Sequence, residues 1–137
     1  MREIIEVGKL LFAAIGGWLG WFLGGWDGPI YALVAFITID YITGLMCAIS
    51  DKDLSSEIGF KGIAKKVFIL MLVGIGAILD REVIRTGEVV RTAVIFYYLS
   101  NEGISILENA SRLNLPVPER LSEVLKQLKN ENGRKED

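Results

Sequence analysis

The side chains best suited to chemistry in this chain are carboxylates set in apolar or half-polar stretches. Asp40 is the one charged residue between Gly28 and Ser50, and Thr43, Gly44 and Cys47 follow it at helical spacing as a small, polar stripe. A second stripe runs through Tyr98, Asn101, Glu102, Ser105, Glu108 and Asn109, with Ile95, Leu99, Ile106 and Leu113 mostly opposite. Paired carboxylates can act as general acid and base, but these lie in separate segments and no third group completes a site. The chain has no histidine to activate a serine and no glycine-rich loop placed to cradle a phosphate. Its single cysteine, Cys47, lies in an apolar run, which excludes an intrachain disulfide, argues against a thiolate metal site and reads as a buried structural thiol. We expect no enzyme, no catalytic residue, no cofactor and no metal. A net charge of −2 gives no field that points to nucleic acid or an acidic substrate.

The elements that carry these stripes are long and apolar. Leu10 to Trp26 has no charge, Gly28 to Ser50 has only Asp40, and Val67 to Leu79 is again unbroken. A bilayer core about 30 Å thick needs about 20 mostly apolar helical residues. The first two stretches have that length, and the third reaches it with its polar neighbours. Uncharged Leu10 to Trp26 lacks the polar stripe of a surface helix. The pattern predicts an all-α integral membrane bundle of about four membrane helices. A polar lead covers residues 1–9, and a first helix runs to about Gly25. Trp26-Asp27-Gly28-Pro29 makes a turn, because Pro29 suits the first turn of a new helix. So short a turn implies an antiparallel hairpin with the second helix, which ends near Ser50. Asp51 to Lys66 reads as a charged loop, with the third helix starting near Gly62 and meeting Asp80-Arg81-Glu82 after Leu79. The fourth helix spans about Val89 to Leu113 and stops before Pro116 and Pro118. A short amphipathic helix follows over Glu119 to Asn130, with Leu121, Val124, Leu125 and Leu128 on one face. Glu131 to Asp137 is charged and expected to be disordered. The division is a membrane domain over 1–113 and a cytoplasmic tail over 114–137.

Lys and Arg near the span ends set orientation. Lys52, Lys61, Lys65 and Lys66 in the loop, and six basic residues from Arg112 onward, place both on the cytoplasmic side. Four crossings with both termini inside satisfy this. Arg81, Arg85 and Arg91 then fall near the outer side, against the rule, so three crossings with the fourth helix on the surface is the alternative. The offset charges of the lead and the absence of a small-residue cleavage site read as a retained first span rather than a signal peptide. No lipidation motif is seen.

Three groups of residues have roles suggested by position. Gly16, Gly20 and Gly24 repeat every four residues on one helix face, which lets another backbone approach closely. The face serves either subunit oligomerisation or packing within the chain's own hairpin. Trp26 suits an interfacial anchor, Trp18 and Trp21 lie deeper, and Lys61, Lys65 and Lys66 suit anionic headgroups at about 1 kcal/mol each. Asp80-Arg81-Glu82 reads as an interfacial charge cluster. Asp40 lies near mid-bilayer, where a lone carboxylate costs about 2.5–3.5 kcal/mol, so it needs a partner or water. The two polar stripes either satisfy each other in a compact bundle or line a water-filled hole after rearrangement.

Three strings resemble the phage lysis and toxin secretion holin family: Phe36-Ile-Thr-Ile-Asp-Tyr-Ile-Thr-Gly44, Ser55-Ser-Glu-Ile-Gly-Phe-Lys-Gly-Ile-Ala-Lys-Lys66 and Asn101-Glu-Gly-Ile-Ser-Ile-Leu-Glu-Asn109. Leu113-Asn-Leu-Pro-Val-Pro118 is similar to that family's link into a charged tail, so the resemblance covers about Gly17 to Lys129. It implies a small, non-enzymatic protein of the bacterial cytoplasmic membrane whose stable partners are its own copies and the lipid bilayer. It also implies homo-oligomeric holes that release an endolysin, a functional rather than stable partner, and trigger host cell lysis; some relatives are linked to toxin secretion instead. Asp40, Tyr41, Thr43 and Gly44 match the second-helix motif, and Asn101, Glu102, Gly103, Glu108 and Asn109 the fourth. Many holins carry a second start a few residues in, but the next methionine here is Met46, which puts a two-start timer in doubt. A non-lytic channel subunit, or a membrane scaffold that binds a partner through the tail, is the alternative reading.

Overall fold

The computed structural model describes residues 1–134, and among these every regular element is helical. Helix α1 spans Arg2–Leu23, α2 Gly28–Ser50, α3 Ser56–Ile78, α4 Val89–Arg112 and α5 Glu119–Arg134, with a π-helical turn at Leu79–Ile84 after α3.

Local chemistry sets the boundaries. Gly24 ends α1 in the left-handed conformation at φ 87°, and Gly25 N–H reaches back to Gly20 O at 2.6 Å. Asp27 caps α2 by accepting from Ile30 N–H at 3.2 Å, with Pro29 in the first turn. Ser55 does the same for α3, accepting from Ile58 N–H at 3.1 Å. That cap starts α3 six residues before the expected Gly62, so most of the anticipated 51–66 loop is helix. Gly59 and Gly62 are accommodated there because the ring of Tyr41 covers them and its hydroxyl donates to Gly59 O at 3.3 Å. The polar lead is also helical, with Glu6 and Lys9 paired at 3.5 Å one turn apart. Beyond Leu79 the helix continues through Asp80-Arg81-Glu82 as the π turn, which Arg85 closes in the left-handed conformation at φ 65°. At the other end, α5 continues through Arg134 rather than becoming disordered at Glu131, and the rest of that expectation, 135–137, lies outside the described residues.

Helices α2 and α4 run parallel, side by side along their length. Arg91 meets Asp27 at one end of the pair, and Arg112 meets Asp51 at 2.8 Å at the other. Helix α3 packs antiparallel to both, and the three share a core of Ile30, Leu33, Ile37, Ile69, Val73, Ile95 and Leu99, joined by Leu23 from α1. Two expectations about packing change here. Helix α1 does not form a close hairpin with α2; it docks by its last turns against α3, where Phe22 fills the notch left by Gly74. Its residues 2–15 are exposed, from Ile4 to Phe12 and Ile15. Among the described residues, three helical stretches rather than the four expected are long and apolar enough to cross a membrane: α1, α2 and Ser56–Ile84. Helix α4 carries too many polar residues to qualify, yet it lies lengthwise against α2 rather than across the end of the bundle.

Gly24 combines a left-handed backbone with close approach, since a Cβ there would stand 2.7 Å from the Arg91 side chain. Gly17 has open space around it. Gly24→Ala is therefore expected to lower unfolding free energy by at least about 1–2 kcal/mol, while Gly17→Ala is neutral or slightly stabilising. Denaturant unfolding of the two variants in detergent micelles, followed by circular dichroism, checks the difference.

Candidate functional site

At mid-length of α2, α3 and α4 the bundle holds a charged cluster. Asp40 stands 12 residues into α2, about 18 Å along its axis. Lys66 from α3 reaches across and donates both to Asp40 and, at 2.5 Å, to Glu102 of α4. Asn109 completes the contact from α4, its amide donating to Asp40 Oδ1 at 3.1 Å and Thr43 Oγ at 2.8 Å. Asn109 O accepts from Cys47 Sγ at 3.4 Å, and Ser105 and Asp40 line one cavity. Gly44 leaves the space that Asn109 occupies. Both carboxylates and Asn109 are buried, while Lys66 keeps about a fifth of its side-chain surface.

Helical spacing explains the convergence. Asp40, Thr43, Gly44 and Cys47 share the face of α2 that meets α4, and Glu102, Ser105 and Asn109 share the answering face of α4. The structure therefore brings six residues of the two expected stripes into mutual contact around Asp40. Asn101 and Glu108 are not among them: Asn101 is half-buried and Glu108 is exposed. Gly103, next to Glu102, is covered by Leu125 of α5 and Phe36 of α2.

Lys66 differs from the headgroup position expected of it, because it turns inward to the two carboxylates. Lys61 and Lys65 are exposed, Lys61 pairing with Glu57 at 3.4 Å one turn away. The sequence did carry a signal for Lys66: two carboxylates bound for the bundle interior call for a cation, and Lys66 borders the apolar run Val67 to Leu79. The glycine face is used largely by the chain itself. Trp26 folds back over Gly20 and donates its indole N–H to Gly16 O at 3.0 Å, and Gly24 faces Arg91. Gly16 otherwise meets open space. Trp26 also stacks on Tyr31 and stays half exposed.

A second polar knot lies at the other end. Arg91 is buried, and its guanidinium donates to Leu23 O at 2.5 Å, Gly25 O at 3.0 Å and both Asp27 oxygens at 2.7 and 3.2 Å. Asp80, also buried, accepts from Val90 and Arg91 N–H and so caps α4. Neither role was expected, since Asp80 reads in sequence as part of a surface charge cluster. The arginines that conflict with the orientation rule are partly explained, because Arg91 is neutralised by Asp27 and Arg81 lies over the Trp21 ring at 4.7 Å. The hydrogen bonds from Arg91 hold the Asp27 carboxyl below the usual carboxylate range, against the opposing effect of burial. Among the described residues no group of three metal-ligating side chains converges.

Two predictions follow from these contacts. Lys66→Met leaves two carboxylates buried without a cation and is expected to cost about 3–5 kcal/mol, whereas Lys61→Met costs less than about 0.5 kcal/mol; a combined Asp40→Asn, Lys66→Met, Glu102→Gln variant recovers much of the loss. Denaturant titrations in micelles measure all three. Asp27 has a lower pKa folded than unfolded, so its stabilising effect is complete above the ordinary carboxylate range and is lost as pH falls through the folded value. Wild-type protein should lose more thermal stability than Asp27→Asn between about pH 5 and pH 2.

Comparisons with known proteins place this geometry in a sequence context. A model of the Bacteriophage holin family matches residues 17–130. An uncharacterized protein of Clostridium perfringens is 42% identical over 97% of this chain and 98% of its own length. One from Listeria innocua is 46% identical over 91% of this chain and 86% of the relative. A protein of Bacillus phage phi105 named a probable holin is 29% identical over 71% of each chain. No solved structure matches.

Proposed function

The chain belongs to the bacteriophage holin family, and from that premise we propose that it oligomerises in the bacterial cytoplasmic membrane and opens holes that release an endolysin or a secreted toxin. The observation that carries this reading is the Asp40–Lys66–Glu102–Asn109 cluster, polar groups paired off inside a bundle of apolar helices. In the closed bundle these groups satisfy one another, so α4 stays against α2 and α3 despite its polarity. When subunits assemble and α4 swings away, water takes over as partner for the same groups. A wall that was closed and dry becomes the wet lining of a hole, without any polar group passing through lipid.

The packing of α5 supports one side of each subunit as the wet side. Its buried Leu125 lies on Gly103, beside Glu102 and thus level with the cluster, while Glu119, Arg120, Glu123, Lys126 and Lys129 ride on the same helix. So many charges cannot face hydrocarbon at that depth. The α4–α5 side therefore faces water, and the exposed apolar length of α1 faces lipid. In this reading α4 crosses beside α2 as a fourth membrane helix, with the N-terminus and the 51–55 loop cytoplasmic.

The test is inducible expression in a bacterium, alone and with a cytoplasmic endolysin. Abrupt death at a threshold level, with rapid lysis when endolysin is present, is the expected result. Asp40→Asn and Glu102→Gln should each shift the time of death at unchanged accumulation. Wild-type timing in both variants overturns the role of the cluster; stable growth with full membrane expression favours a non-lytic channel or scaffold.

A further inference from the structure

The charged cluster is not electrically balanced. Two carboxyl groups meet a single ammonium, and all three side chains are drawn into the bundle. The neighbouring elements supply no second cation. Helix α2 adds Tyr41, whose hydroxyl is engaged by Gly59 O. Helix α3 adds Lys65, which is exposed and forms no ion pair with either carboxyl group among the described residues. Helix α4 adds Ser105 and Asn109, both neutral, and its exposed Glu108 would only deepen the imbalance. From α5 the uncharged Leu125 lies on Gly103, next to Glu102. Fully ionised, the cluster would hold one uncompensated negative charge at the middle of apolar helices, where such a charge is least tolerated. Both carboxyl groups are held against the same ammonium, close enough for their charges to repel.

A route for that proton is present. A cavity of about 220 Å³ opens between α2, α3 and α4, with Asp40 and Lys66 at one end. The other lining residues, among them Gly44, Ile58, Gly62 and Asn109, all lie between the cluster and the end of the bundle that carries the 51–55 loop. The cavity thus leads from the cluster toward the side that Lys52, Lys61 and Lys65 assign to the cytoplasm.

We propose that Asp40 and Glu102 form a proton-binding site, with one proton shared between them in the closed bundle and exchanged with water through this cavity. Hydronium gives its proton to a carboxylate oxygen and leaves as water; the reverse step returns the proton to a water in the cavity. With the proton bound the cluster is neutral and joins α2, α3 and α4. Without it the two carboxylates repel across Lys66, and α4 is held less firmly as cytoplasmic pH rises. This inference rests on the membrane placement of the bundle and is independent of lytic activity.

The test uses the full chain in dodecyl maltoside, a detergent without carbonyl groups, with infrared difference spectra across a pD titration. The expected result is a protonated-carboxyl C=O band near neutral pD that disappears on alkalinisation, together with a fall in thermal stability over the same interval. Asp40→Asn and Glu102→Gln each leave one carboxylate balanced by Lys66, so the band should vanish from both. Absence of the band from the wild-type protein, or its retention in either variant, overturns the proposal. A second readout needs no variant: dicyclohexylcarbodiimide, which reacts with protonated carboxyl groups in apolar surroundings, should leave an adduct on Asp40 or Glu102 by peptide mass spectrometry. An unmodified Asp40 and Glu102 overturns it equally.

Discussion

A carboxylate in the middle of an apolar helix has to be answered, and the answer to Asp40 arranges the rest of the molecule. Asp40 faces α4 because Thr43, Gly44 and Cys47 share its face and Asn109 fits the gap that Gly44 leaves. Glu102 follows from Asn109, being two turns earlier on the same face of α4. The two carboxyl groups then require a cation, and Lys66 is delivered to them because α3 begins at the Ser55 cap and runs antiparallel through that level. Parallel α2 and α4 with α3 between them is the arrangement that brings all of these groups together.

The opposite end is fixed by similar means with different residues. Arg91 enters the α1–α2 turn and binds the carbonyls that the left-handed Gly24 leaves free, while Asp27 neutralises it and caps α2. Asp80 closes the knot by capping α4 through the backbone of Arg91 itself. A turn that reads as a passive connection is therefore the upper fastening of α4. The same contacts tie Gly20 and Gly24 to the chain's own turn, leaving the exposed length of α1 ahead of them as the free apolar surface.

What could be read from sequence follows from which interactions are local. Uncharged runs, Pro29 in the turn before α2 and the prolines after Leu113 are local signals, and they mark helices that the structure contains. The two polar stripes were legible because helical spacing alone aligns Asp40 with Thr43 and Glu102 with Asn109. Arg91 was not, and Lys66 was signalled only by the need of two interior carboxylates for a cation, because a charge at the edge of an apolar run looks the same in sequence whether it turns to headgroups or inward. The start of α3 was missed because Gly59 and Gly62 read as breakers; only the distant ring of Tyr41 makes them contact points. Asp80 was missed for a related reason, since the π turn that carries it to the start of α4 has no local marker.

These contacts make α4 the helix whose attachment differs in kind. In lipid, apolar surfaces gain little by leaving hydrocarbon for one another, so helix association relies on packing and polar bonds. Helix α1 rests on α3 through the apolar fit of Phe22 in the Gly74 notch, and polar bonds reach only its last turn, from Arg81 to Trp21 O and from Arg91 to Leu23 O. Helix α4 is fastened at one end by Arg91 and Asp80 and at its middle by Glu102 and Asn109. Bonds of that type are strong in a dry bundle and weak once water enters, because the effective dielectric around them rises. The middle fastening has a cavity beside it, whereas Arg91 is buried under the turn. Water arriving through that cavity would loosen the middle of α4 while its Arg91 end stays fixed. In the proposed opening, the Asp27 end would serve as the hinge and the loop end would part, exposing the polar face of α4.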